Sequence, residues 1–210
     1  MMEDIYNKIK KVKNDKFVNG QINKRLNEFE CAGRMNNKTI FEELCFCLLT
    51  ANYNAERAII IQREIGKGFL TLSERALAKR LRELGYRYPN TRAKYIVKAR
   101  KYSKNLKKIL DSLGSEEEKR KWLVENILGL GLKEASHFLR NIGCKECAII
   151  DFHIADLLAR HKLAKKPKTM TKKEYLKIEG ILKKIGSRAC VDMAELDLIL
   201  WYLETGKVLK

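Results

Sequence analysis

The chain has 210 residues, 45% of them hydrophobic, which is enough for one substantial domain or two small lobes and excludes a disordered chain. Lysine and arginine number 44 against 26 acidic residues, and the resulting net charge of +18 favours nucleic acid over an acidic membrane surface as partner, with adaptation to heat as the bland source of so many charges. No apolar run reaches the ~18 residues of a membrane span, and the opening "MMEDIYNKIKKVKND" lacks a signal-peptide core, so a cytoplasmic monomer without membrane contact is expected.

Apolar residues recur at three- and four-residue intervals, alternating Val/Ile/Thr runs are absent and only two prolines occur, so the expected fold class is all-α. In chain order, the periodicity predicts helices at about 3–14, 18–30, 38–50, 54–65, 72–84, 90–110, 116–127, 132–142, 152–162, 171–185 and 188–204. Loops fall where glycine, asparagine and proline gather, as in "AGRMNN", "GYRYPN", "SLGSEE", "NIGCKEC" and "KKPKT". Basic residues are spread along the chain, so the positive field belongs to the folded body and not to a tail.

Between the helices at 116–127 and 132–142, Gly129 and Gly131 flank Leu130 in a tight turn whose amides can approach a phosphate. That is a helix-hairpin-helix, a grip on the DNA backbone that implies binding and not chemistry; an ordinary αα-turn is the alternative. Projected at about 100° per residue, the second helix carries Ala135, Phe138, Leu139 and Ile142 on one face and Lys133, His137 and Arg140 on the other. Its core therefore does not need Lys133, and a helix start disfavours a cation. The same field favours the neutral amine, which is a usable nucleophile. Eighteen residues further on, in "AIIDFHIADLLARH", Asp151 opens the next helix. A carboxylate there serves equally as a helix cap and as the partner of a cationic sugar transition state.

Of the six cysteines, only Cys144 and Cys147 have metal-ligand spacing, and no second pair completes a site. Most are expected to be small buried thiols, with a local disulfide or redox pair as the alternative. His137, His153 and His161 include no pair four residues apart, so neither a metal nor another cofactor is expected. Trp201 stands in the apolar "LDLILWYLETG", where core packing and base stacking compete as explanations.

The run "ILGLGLKEASHFLRNIG" followed by "IIDFHIADLLAR" resembles the signature of the helix-hairpin-helix DNA glycosylase superfamily. Upstream, "LLTANYNAERA" is similar to the superfamily's "LLSAQATD" and "GYRYPNTRAKYIVKA" to its "GLYNSKAENIIKT", so the resemblance covers roughly residues 40–160. Within the superfamily "KEASHFLRN" most resembles the archaeal-type 8-oxoguanine DNA glycosylase/AP lyases, whereas endonuclease III has "KTANVVLN". Two departures stand out: the loop "GCKECAII" lacks the superfamily's proline, and only Cys190 follows Asp151, so the iron–sulfur loop of endonuclease III has no counterpart.

The resemblance implies a two-lobed helical fold, with a helical barrel over residues 33–144 and a second lobe from residues 1–32 and 145–210. It implies that Lys133 and Asp151 meet in the cleft of an enzyme acting on double-stranded DNA that contains an oxidised purine. Lys133 attacks C1′ of a flipped nucleotide, Asp151 stabilises the positive charge, and the adduct opens to a Schiff base that permits β-elimination. Gly129 and Gly131 hold the backbone, and a monovalent cation on their carbonyls is part of the same pattern. Asn52 takes the position of the superfamily's gap-filling glutamine, with a loop or helix cap as the alternative. Human-type enzymes add an N-terminal β domain to the base pocket; this chain must find its base acceptor elsewhere. Gly206 can stop the last helix and let the tail fold back past Trp201, bringing the Lys210 carboxylate to the pocket; a frayed basic tail is the alternative. The same chemistry on another lesion, and a non-catalytic DNA-binding protein, remain open at this point.

Overall fold

Helix starts in this chain are written in short polar side chains. Asp15, Asn36, Ser73, Ser115 and Thr171 each accept a hydrogen bond from an amide in the turn that follows, satisfying donors that have no partner within the helix. The computed structural model describes residues 2–210, and no strand occurs among them. The helices are α1 (Met2–Asn14), α2 (Lys16–Arg34), α3 (Asn37–Thr50), α4 (Ala55–Ile65), α5 (Gly68–Thr71), α6 (Glu74–Glu83) and α7 (Pro89–Ala99). They continue with α8 (Leu106–Asp111), α9 (Glu116–Asn126), α10 (Leu132–Asn141), α11 (Phe152–Arg160), α12 (Lys172–Ala189) and α13 (Met193–Thr205).

Two hydrophobic clusters form. The first is built by α3 to α10 around Phe41, Leu44, Phe46, Phe69, Leu81 and Phe138; the second by α1, α2 and α11 to α13 around Ile5, Ile22, Leu158, Ile178 and Leu198. Helix α3 is buried from Leu44 to Thr50 without interruption, as suits a central post apolar on every side. Helix α10 belongs to both clusters: Ala135, Phe138 and Leu139 face the first while Leu132 packs against the second. That position explains a departure from the helical projection, because His137 and Arg140, on the polar face, are buried too. Arg140 faces the other lobe through Asp197, and the His137 ring meets Phe46 of α3 edge to face.

Charged side chains tie the lobes together. Arg120 of α9 and Glu179 of α12 form a two-pronged ion pair, with Nη2 donating to Oε2 at 2.8 Å and side chains only 4% and 6% exposed. Arg140 of α10 pairs with Asp197 of α13.

Three departures from the periodicity stand out. The helix expected over 90–110 ends at Ala99 and restarts at Leu106, with a 3₁₀ turn at Arg100–Tyr102. Arg100 turns inward to donate to the Phe69 carbonyl at 2.7 Å, and the Asn37 side chain holds the restart by accepting from Lys107 N and donating to Lys104 O, both at 2.8 Å. Hydrogen bonds of that kind leave no periodic trace. The break expected between 185 and 188 is absent, since α12 runs through Gly186 and stops at Cys190 in the left-handed region. Gly186 serves a close approach instead: a Cβ there would lie 2.4 Å from Met193 Cε and 2.9 Å from Val191 O. The short α5 falls in a stretch where no helix was expected.

Candidate active site

The hairpin is set by its two glycines in different ways. Gly129 has φ of +92°, and a Cβ would meet the Tyr95 ring at 2.2 Å, so both backbone and space demand glycine. Gly131 is extended and a Cβ would meet nothing closer than Glu134 Oε2 at 3.3 Å. It is the N-cap of α10 and brings no capping side chain, which leaves the first amides of that helix facing outward for an anion.

Lys133 is the second residue of α10, half-buried at 26% side-chain exposure, with its Nζ 3.7 Å from Glu134 Oε1. Asp151 caps α11, its Oδ1 accepting from Ile154 N at 3.0 Å. Two cavities adjoin these residues. One of about 410 Å³ is walled by His137, Arg140, Asp197, Trp201 and the tail residues Leu209 and Lys210; the other, about 670 Å³, by Asn52, Gly131, Phe152 and Tyr175. Lys133 and Asp151 line both, so the pair stands where the cavities meet. Volumes of this order suit a small ligand or a single nucleotide.

The smaller cavity is electrically unusual. Burial pushes the Asp197 carboxyl above the ordinary aspartate value; the Arg140 guanidinium opposes the rise and the neighbouring Asp151 charge adds to it. Burial also holds the His137 imidazole well below the ordinary histidine value, and the charges of Arg140, Lys133 and Lys210 push it the same way. His137 Nδ1 and Trp201 Nε1 are buried without a hydrogen-bond partner among the described residues. Both belong to walls of the same cavity.

Trp201 departs from the core role considered for it. The buried residues of α13 are Met193, Ala194, Leu196, Leu198, Ile199 and Leu200, while Trp201 is half-buried with its ring 5.9 Å from that of His153, edge to face. Asn52 is exposed in the left-handed region at φ 57°, between the C-cap Ala51 of α3 and the N-cap Asn54 of α4, and therefore caps neither helix. The tail is not frayed. Gly206 ends α13 at φ 70°, the chain turns back, Lys207 pairs with Glu56, and Lys210 Nζ donates to Glu43 Oε1 at 2.7 Å. Glu43, Asn141 and Asp197 escaped the sequence reading, although Asp197, an acid inside the apolar "LDLIL", carried a signal.

All six cysteines are free: Cys45, Cys47 and Cys147 are buried, Cys144 is half-buried, and Cys31 and Cys190 are exposed. Burial pushes the Cys144 and Cys147 thiols up to about 12, which argues against a reactive pair. The loop between them is instead organised by Glu116, whose carboxylate accepts from Lys145 N at 2.8 Å and Glu146 N at 2.7 Å.

A family model described as 8-oxoguanine DNA glycosylase matches residues 22–191, a span that contains the hairpin, Lys133 and Asp151. The chain belongs to the 8-oxoguanine DNA glycosylase family. Among relatives in that family, the 8-oxoguanine DNA glycosylase/AP lyase of Korarchaeum cryptofilum is 49% identical over 100% of this chain and 99% of its own, and that of Thermotoga maritima 42% identical over 99% of each. The crystal structure of the Methanocaldococcus jannaschii 8-oxoguanine DNA glycosylase superposes with a TM-score of 0.95 at 47% identity, covering 99% of this chain and 97% of that one. The M. jannaschii enzyme in complex with 15mer DNA containing 8-oxoguanine matches equally well, at 0.95 and 47%, covering 98% and 99%. The family's all-helical, two-lobed helix-hairpin-helix architecture is the one described above.

Proposed function

We propose that the chain is a bifunctional DNA glycosylase/AP lyase that excises 8-oxoguanine from double-stranded DNA and then cleaves the strand. The observation that carries this reading is the placement of Lys133 and Asp151, from the starts of α10 and α11, at the junction of the two cavities. The relatives at 42–49% identity, whose names state that activity, support it.

In this reading the hairpin amides around Gly129 and Gly131 hold the DNA backbone while Asn52 occupies the space vacated by the flipped nucleotide. The Lys133 amine attacks C1′, the C1′–base bond breaks, and the base departs with a proton. Asp151 offsets the positive charge that develops on the sugar. The amine then remains bonded to C1′ as the ring opens to a Schiff base; loss of a C2′ proton expels the 3′ phosphate. The smaller cavity receives the base. Trp201 is its flat wall, and the oxygens of the tail at Lys210 supply the acceptor for the N7 hydrogen that guanine lacks. The lobes divide as 33–144 against 1–32 with 145–210, a division supported by the membership of the two hydrophobic clusters.

Borohydride trapping on a panel of lesion duplexes tests the reading. A covalent adduct on 8-oxoguanine DNA is expected, absent in Lys133→Gln. Trapping on another oxidised base alone would redirect the specificity, and no adduct on any duplex would leave a DNA-binding protein without this chemistry.

A further inference from the structure

Two ion pairs meet behind the wall of the smaller cavity, and one fully buried amide joins them. Lys210 Nζ donates to Glu43 Oε1 at 2.7 Å, and the two side chains are only 16% and 13% exposed. Gln62 Nε2 donates to the same oxygen at 3.1 Å. Glu43 Oε2 accepts from Asn141 Nδ2 at 3.1 Å, and Asn141 Oδ1 accepts from Arg140 Nη2 at 3.0 Å. The orientation of that amide is forced, because a carboxylate only accepts and a guanidinium only donates. Arg140 in turn holds Asp197. The Lys210 ammonium also lies 4.4 Å from the centre of the Phe46 ring, a second attraction for the same charge.

We propose that Glu43, held by Asn141 and Gln62, is a positioning residue: a socket for the Lys210 ammonium that fixes the tail as a wall of the base pocket and so sets selectivity for the oxidised base. The proposal rests on the reading of the tail given under the proposed function. Glu43 sits on α3 and lines neither cavity, so it acts through Lys210 and not on the base. After Gly206 the tail has, among the described residues, one other ionic tether, Lys207 to Glu56, whose side chains are 57% and 46% exposed. Exposed pairs of that kind hold little. Beside the packing of Val208 against the second cluster, the buried pair at Lys210 is therefore the stronger of the two ionic restraints on the tail.

Single-turnover excision of 8-oxoguanine, cleavage at preformed abasic sites and melting would be measured for Glu43→Gln, Lys210→Met, the double variant and a chain lacking Val208 to Lys210. For Glu43→Gln we expect excision to fall about tenfold, the scale of one charge-assisted contact, with abasic cleavage within about twofold of the parent. Lys210→Met should show the same selective loss, and the double variant should be no worse than either single one. Because Lys210→Met changes no residue of the barrel, it carries the test if Glu43→Gln melts early. Losses that add in the double variant, equal losses on both substrates, or normal excision by Glu43→Gln beside a selectively impaired tail deletion would each overturn the socket. A tail deletion with unaltered selectivity would overturn the reading of the tail, and the socket with it.

Discussion

Lys133 and Asp151 line the same two cavities, and the proposed function gives them different steps that substitution should separate. Asp151→Asn keeps a side chain that can cap α11 through its amide oxygen but removes the charge that the proposed mechanism sets against the sugar. Excision should fall by about a hundredfold or more, since one electrostatic stabiliser of a charged transition state is lost, while adduct trapping at preformed abasic sites persists. Single-turnover rates on the two substrates check this, and undiminished excision would reduce Asp151 to a cap. His137 gives a second prediction at this scale. Folding keeps its imidazole neutral, so below the ordinary histidine value of 6.5 the unfolded chain binds a proton that the native chain refuses. Its contribution is intact above that pH and is lost on acidification, by at most about 1.4 kcal/mol per pH unit. Melting temperatures between pH 7 and 5 should drop more steeply for the parent than for His137→Gln. Lys133 drew notice in the sequence because a lysine beside a glycine turn breaks a rule of helix electrostatics. Glu43 and Asn141 did not, because their partners lie 167 and 98 residues away and no spacing announces such a bond.

At the scale of the element, the hairpin separates two meanings of glycine. Gly129→Ala places a Cβ in the left-handed region and against the Tyr95 ring, so it should destabilise the fold by about 1–3 kcal/mol. In a domain of this size that lowers Tm by roughly 2–10 °C, a shift readable by calorimetry. Gly131→Ala meets no such obstacle and should melt close to the parent, yet its methyl group stands at the uncapped start of α10 where a phosphate would approach. A weakened affinity for abasic-analogue duplex at unchanged Tm is expected; equal melting loss in both variants would refute the distinction. Helix existence was readable almost throughout, since buried faces impose their period on the sequence. Ends were readable where a cap such as Ser115 or Asp151 supplied the signal. The interruption after Ala99 was not, because Asn37, on a distant helix, makes it. Trp201 could not be settled from its neighbours either, as an apolar helix hides which of its sides meets a cavity.

The whole molecule carries its excess of 18 positive charges on the folded body, and no helix among the described residues is long and apolar enough to cross a membrane. A backbone grip of about six phosphates predicts that duplex affinity falls about a thousandfold between roughly 50 and 200 mM salt. Fluorescence anisotropy across that range checks it, and a flat response would move the binding energy to base contacts. The division into two clusters was partly visible in sequence through the family resemblance, whereas the ion pairs between them were not.

The pairing of Arg120 with Glu179 has a consequence for the DNA. Opening the lobes would strand two buried charges, at a cost of about 3–5 kcal/mol for an unpaired partner, so the cleft is in effect a fixed mould. A mould that does not yield leaves the duplex to supply all the compliance. Excision should therefore depend on the local pliancy of the substrate: a lesion beside a TA or CA step, which kinks cheaply, should be removed faster at limiting enzyme than the same lesion within a stiff A-tract. Competition between two such duplexes in one tube measures the ratio, and a ratio of one would mean that the protein, and not the DNA, does the bending.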